Sequence, residues 1–330
     1  MKRRSSGYAS IVLLLAMLPA GAARAQEGGL LEQWLRDGPA TRDLGGNAMG
    51  ALPSTAAEMA TWPHFAVRAL APADRPARLD LRDGLPPVGD QGKQGSCGCW
   101  AVAYYCYGYL VAQRRALSAE QRAQARFEFS PAYLYHQCKA PKGGTTFPDD
   151  LKVLRNQGCA TMAEMPYRDD DDSTDPSADA RRRAATMKAL GAACLFRGKP
   201  EGGAGPDLEQ LKTFLAETQG PFVMGIAVFK DFPMGDHGKV GPDFVYHLTV
   251  PGVKANFLGG HAITVVGYDD DRHAFLIVNQ WGTAWGHDGF LWLGEDFVRD
   301  WAAEAWGILP GGIQARQPTS RIDVIEPDKG

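Results

Sequence analysis

The stretch Gln91-Gly-Lys-Gln-Gly-Ser-Cys97-Gly-Cys99-Trp100 places two cysteines two residues apart behind a glycine-rich loop. A thiol with an ordinary pKa near 8.5 is mostly protonated at neutral pH, and a helix N-terminus or an imidazolium neighbour lowers that value. An activated cysteine needs a histidine to form the ion pair and protonate the leaving amine. The histidine needs a third group to fix its ring, and the developing oxyanion needs a donor. The chain offers each part in a short segment. His261 stands in Gly259-Gly-His-Ala at the head of an apolar run. Asn279 opens Asn-Gln-Trp-Gly-Thr-Ala-Trp-Gly and can hold an imidazole through its amide. The Gln91 side chain, beside the backbone N–H of Cys97, can meet an oxyanion. At this level the nucleophile is Cys97 or Cys99.

The elements that must carry these groups follow from pattern. Ser96 precedes an apolar, glycine-poor run over 97–113 and is expected to cap a helix there. Ser118 with Gln121 reads as a capping box, and Ser130-Pro131 announces a further helix. Another is expected over 147–156, ending near Gly158, and another over 207–218. Strand-like runs follow at 222–228, 262–266, 275–278 and 289–293. Helices first and strands second indicate an α+β protein of two packed lobes. Residues 26–78, broken by Pro39, Pro53, Pro63, Pro72 and Pro76, read as a pro-segment or extended arm. Compact structure is expected from Leu79. Asp169–Asp172 and Arg181–Arg183 read as a solvated charged loop, since EF-hand spacing is absent. Residues 311–330 read as a loose tail.

The run Pro87-Val-x-Asp-Gln91-Gly-x-x-Gly-Ser-Cys97, Gly260-His261-Ala262 with Val266-Gly-Tyr268, and Asn279-x-Trp281-Gly-Thr-x-Trp285-Gly resemble the papain-like cysteine peptidases, especially bacterial members. The likeness extends from about Leu79 to Gly307 and is weak over 195–255. It implies a two-lobe fold with a helical left lobe, an antiparallel β-barrel-like right lobe and a site in the cleft between them. It implies Cys97 as nucleophile, His261 as acid/base partner, Asn279 as orienting amide and Gln91 as oxyanion donor. Trp281 would cover the His–Asn hydrogen bond. Gly144 would correspond to the glycine that pairs with substrate backbone as an added strand. The plant and animal Cys-Gly-Ser-Cys-Trp pattern would instead select Cys99, but only with a deletion. The ungapped register keeps Gln91 six residues before Cys97. Cys99 then becomes a small buried helix residue on the face of Cys106. From 97 to 261 is 164 residues, longer than the roughly 130–150 usual for such enzymes.

Composition bounds the rest. The chain has 330 residues, 45% of them hydrophobic and 22% charged, with 39 Gly and 22 Pro. Lys2, Arg3 and Arg4, the apolar run 11–20 and Ala23-Arg-Ala25 form a secretory signal with cleavage after Ala25. Its removal takes away four cations and no acid, so the net charge falls from −3 to −7. Such a protein is expected to be secreted or periplasmic, without a membrane anchor, and to bind no nucleic acid. No HExxH or paired CxxC appears, so neither metal nor cofactor is expected. Six cysteines in an oxidising compartment permit disulfides, with at least one besides the nucleophile left over. The expected activity is peptide-bond hydrolysis by a monomer acting on peptide or protein substrates. The alternatives are a papain-fold acyltransferase or amidase, and a non-catalytic binding module.

Overall fold

The computed structural model describes residues 48–196, 205–250, 256–310 and 322–327. The expected signal peptide, residues 26–47 of the expected arm, and 311–321 and 328–330 of the expected tail lie outside them.

The helices form because local chemistry starts them where the sequence indicates. The central helix, α2, runs through Cys97–Cys99, Trp100–Tyr107 and Gly108–Arg114. Its middle part is π-helical and wholly buried, a rare geometry that concentrates at functional sites. The short α1 (Ala56–Ala60) precedes it, with a capping box between Thr55 and Glu58. Next come α3 (Ala119–Arg122), with the expected Ser118–Gln121 capping box, and α4 (Pro131–Cys138), capped by Ser130. In α5 (Phe147–Asn156), Thr146 caps the Asp149 N–H and Pro148 sits in the first turn; Phe147, Leu151 and Leu154 turn inward. The charged loop contains a helix, α6 (Ala178–Ala184), because Ser177 caps it and Ala180 and Ala184 bury on one side. Helices α7 (Leu208–Thr218, capped by Asp207) and α8 (Glu295–Trp301) complete the set among the described residues.

The strands are β1 (His64–Val67), β2 (Arg78–Asp80), β3 (Ala189–Phe196), β4 (Phe222–Phe229), β5 (Val245–Tyr246), β6 (Phe257–Asp269), β7 (Ala274–Val278), β8 (Phe290–Gly294), β9 (Ala302–Pro310) and β10 (Ile322–Ile325). They form one sheet in the order β10-β1-β3-β9-β4-β6-β7-β8-β5, with β2 also on β6. The sheet is open, and the β1–β3 and β5–β8 pairs are parallel. The expected antiparallel barrel-like lobe is thus corrected to an open mixed sheet: its end strands do not meet. A larger apolar cluster surrounds β4, β6 and β7, and a second one lies among α2, α4 and α5. Residues 48–78 belong to the same body. Met49, Met59, Trp62, Phe65, Val67 and Leu70 are buried, and β1 lies between β3 and β10. Within the expected loose tail, Ile322–Ile325 pairs with β1, and Ile322 is buried.

Candidate active site

Strand register brings the histidine and asparagine together. In β6 and β7, Thr264 stands opposite Val278, three residues beyond His261 and one before Asn279. The two side chains therefore share a face, and His261 Nε2 lies 2.8 Å from Asn279 Oδ1. With Nε2–H donating to that oxygen, Nδ1 is left without a partner. The Trp281 ring lies over the imidazole, centroids 4.5 Å apart and planes 30° from parallel. The Tyr105 hydroxyl donates to the Asn279 carbonyl, tying the asparagine to α2.

Cys97 is the first residue of α2, and its sulfur receives the backbone N–H groups of Ala262, Gly50 and Gly98. Ala262 adjoins His261, so helix start and strand converge. Ser96 occupies the N-cap position but does not cap; its hydroxyl shares a 2.7 Å hydrogen bond with the Tyr167 hydroxyl. A side chain at position 98 would not fit, because a Cβ there would lie 2.4 Å from Asp150 Oδ2. Cys99 points away from this centre. Its thiol donates to Asp150 Oδ1 at 3.1 Å, and the Cys138 thiol donates to the same oxygen at 3.3 Å. Burial raises Asp150 to about 7, against the three donors Cys99, Cys138 and Thr145. None of the six cysteines is in a disulfide.

Gln91 is wholly buried in the loop before Cys97. Its Nε2 donates to the Gln94 carbonyl at 2.7 Å. The acidic loop props this turn: Asp169 accepts from the Lys93 N–H, the Asp171 carbonyl accepts from Gln94, and Tyr167 donates to the Gln91 carbonyl. Gly144 (φ +80°) uses its own backbone internally, donating to the Tyr135 hydroxyl and accepting from Ala140.

The site is closed by the protein's own chain. Ala48 N–H donates to the Gly92 carbonyl, Ala51 N–H to Gly260, and Leu52 N–H to Thr145; the Thr145 N–H returns a bond to the Gly50 carbonyl at 3.0 Å. Trp281 Nε1 donates to the Ala48 carbonyl at 3.1 Å. The segment 48–52 thus bridges both walls and lies on the sulfur of Cys97. Gly50 is required at the crossing, since a Cβ would lie 2.0 Å from the Gly95 carbonyl oxygen. Cys97, His261 and Asn279 are all 0% exposed as a result.

This burial governs the charges. Cys97 is pushed up to about 11 by burial, partly offset by the three backbone donors. His261 is pushed down to about 4 by burial, against the hydrogen bond it shares with Asn279. Thiol and imidazole are therefore both neutral here, opposite to the lowered thiol expected from sequence. The physical reason is the excluded water, which penalises both charged forms.

Thr145, Gln280 and the segment 48–52 carry no sequence motif that marks them. Gln280 Nε2 lies 3.1 Å from His261 Nε2 and donates to the Ala262 carbonyl. Its position beside Asn279 is the one available signal. No helix among the described residues is long and apolar enough to cross a membrane.

A family model described as papain family cysteine protease matches residues 75–302. Cathepsin B-like CP3 of Giardia intestinalis is 29% identical over 227 residues, which cover 66% of this chain and 68% of that protein. Cathepsin B-like CP2 of the same organism is 28% identical over 229 residues, with the same coverage. Among solved structures, xylellain, a cysteine protease from Xylella fastidiosa, superposes with a TM-score of 0.63 at 23% identity, covering 82% of this chain and 98% of that one. ProCathepsin B S9 from Trypanosoma congolense gives 0.57 at 20% identity, covering 80% and 87%.

Proposed function

The chain belongs to the papain family of cysteine proteases, and we propose that it hydrolyses peptide bonds through Cys97, His261 and Asn279 and is made in a self-occluded form. The observation that carries this reading is the His261–Asn279 hydrogen bond under Trp281, with the N–H of the adjoining Ala262 on the sulfur of Cys97. Once the segment 48–52 leaves, water enters and the proton of Cys97 can pass to the unpartnered Nδ1 of His261. The thiolate attacks the scissile carbonyl, and the N–H of Cys97 with the Gln91 amide receives the oxyanion. His261 then protonates the leaving amine, giving an acyl-thioenzyme. Water, deprotonated by His261, releases the carboxylic acid and restores the thiol. Asn279 holds the ring in one orientation throughout. The substrate would add as a strand along Thr145 and Gly144, on the wall that now pairs with Gly50 and Leu52.

We also read the protein as exported, with residues 1–25 removed; N-terminal sequencing of the mature protein checks this. The catalytic assignment is tested by peptide mapping after labelling with a peptidyl epoxide. The expected result is a label on Cys97 alone, lost in His261→Ala, with proteolysis reduced by about 10²–10⁴-fold in that variant. A label on Cys99 would overturn the assignment. Product masses with and without an added amine separate hydrolysis from acyl transfer.

A further inference from the structure

Two thiols on the side of α2 away from Cys97 converge on one carboxylate. Cys99 stands at the start of α2, Cys138 ends α4, and Asp150 lies in the first turn of α5. Their sulfur and oxygen atoms all lie within 4.8 Å of one another. Cys99 Sγ is 3.1 Å and Cys138 Sγ 3.3 Å from Asp150 Oδ1, while the Thr145 hydroxyl donates to Oδ2 at 2.9 Å. Asp150 is wholly buried, and the groups that act on it most are these three donors and Asp149, none of them a cation. A buried carboxylate without a cation is costly. Other core thiols behave differently: Cys106 donates to the Pro221 carbonyl and Cys159 to that of Ser130. Cys138 has one proton for two acceptors, the Leu134 carbonyl at 3.1 Å and the Asp150 carboxylate, so one of them is always short of a donor.

We propose that Cys99, Cys138 and Asp150 form a zinc site, in which two thiolates and one carboxylate oxygen hold a Zn²⁺ ion and a water completes the tetrahedron. The spacing fits. Zinc takes thiolate sulfur at about 2.3 Å and carboxylate oxygen at about 2.0–2.2 Å, which sets sulfur and oxygen about 3.5 Å apart at a tetrahedral angle. The 3.1 and 3.3 Å separations reach that arrangement through small outward shifts of the two sulfurs. The charge fits as well. An ionised Asp150 with two thiols carries a single negative charge, and exchanging the two thiol protons for one divalent cation leaves that charge unchanged. The hydrogen bonds described above belong to the metal-free form. Thr145 holds Oδ2 and so turns Oδ1 toward the sulfurs, the outer support that a carboxylate ligand needs. Cys138 is only partly buried, which gives the ion and its water a way in. Thr145 also pairs through its backbone with Gly50 and Leu52, so the ion would pin the start of α2 to that wall. No sequence motif marks the site, because its ligands come from three separate elements. The inference does not depend on the Cys97–His261–Asn279 reading.

The test uses the full chain, reduced with a phosphine and stripped with a chelator, then titrated with Zn²⁺ against a chromogenic competitor and separately with Co²⁺. One Zn²⁺ should bind with a Kd below about 1 μM. Co²⁺ should give the intense visible bands of tetrahedral coordination and charge-transfer absorption from two sulfur ligands. Cys99→Ser and Cys138→Ser should each weaken zinc binding at least a hundredfold, while Cys97→Ala leaves it unchanged. Binding lost in Cys97→Ala and kept in Cys99→Ser would put the ion on the proposed catalytic thiol and overturn the site. A cobalt spectrum without sulfur bands, or no zinc bound, overturns it as well, and both are read on wild type whether or not the variants fold. Chain isolated without reductant should carry one zinc; a Cys99–Cys138 disulfide in its place also overturns the proposal. None of these outcomes bears on peptide hydrolysis, so the site and the catalytic reading stand or fall separately.

Discussion

His261 and Asn279 come within hydrogen-bond reach because two neighbouring strands are in register, and the same proximity sets their vulnerability. Asn279→Ala keeps the strand but frees the imidazole, so kcat should drop at least tenfold with little change in KM; a larger change in KM than in kcat would count against an orienting role. Asp150 makes a separate prediction. It is an acid whose folded pKa is raised, to about 7, so the stability it contributes is present at low pH and lost as pH rises through that value. Asp150→Asn keeps an oxygen for the thiols of Cys99 and Cys138 and removes the titration. Wild type should therefore lose stability against the variant between about pH 4 and 7 and stay level above that, read from denaturant midpoints; a difference that does not change from pH 4.5 to 7 would contradict the buried-carboxylate account. Much at this scale was legible in advance. Gln91, Cys97, His261, Asn279 and Trp281 lie in short motifs with fixed chemistry, and the structure gathers them. Thr145 could not be read that way, since a threonine has no local signal for the face it will present.

At the scale of elements, the segment 48–52 is what covers the proposed site. Its hold on the walls is backbone hydrogen bonding plus the close fit of Gly50 against Gly95. Gly50→Val should lift the segment, and the full chain should then label with epoxide at least tenfold faster; an unchanged rate would mean that the cleft is closed by something else. Acid should act in the same direction. His261 is a base whose pKa in the closed form is depressed to about 4. The closed form's advantage is therefore present above about 6.5 and is lost as pH falls toward 4. Epoxide labelling of the full chain should accelerate from pH 7 to pH 4.5, and a flat profile would contradict this. Sequence signals found α3, α4, α5 and α7 because caps and apolar spacing agree there. They missed β3 and β9, whose Ala- and Gly-rich runs favour no strand by themselves; these residues become strands because they lie beside each other and, for β9, against β4.

Across the whole molecule, the residues before Leu79 are fastened by charge as well as by apolar packing. The Arg75 side chain is 1% exposed and pairs with Glu209 and Asp270, while Lys212 bridges Asp270 and Glu295. Removing Arg75 takes away a buried cation, while Glu209 stays partly solvated and Asp270 keeps Lys212. Arg75→Ala should cost about 1–3 kcal/mol in denaturant unfolding, and a loss under about 0.5 kcal/mol would show the network to be dispensable. This fastening was invisible in sequence, because Arg75 lies 134 residues from Glu209 and 195 from Asp270.

That anchorage bears on how the cleft can be kept shut by so few bonds. Five residues with a handful of backbone contacts would bind weakly as a separate peptide. Here α1 and β1 hold them next to Cys97, so they act at an effective concentration in the millimolar range without needing intrinsic affinity. A cut between residue 52 and α1 would abolish that advantage at once, and the fragment would diffuse away with the rest of the fold intact. The same stretch added back in solution would inhibit only at comparable, millimolar concentrations, so a single chain scission would act as a one-way release.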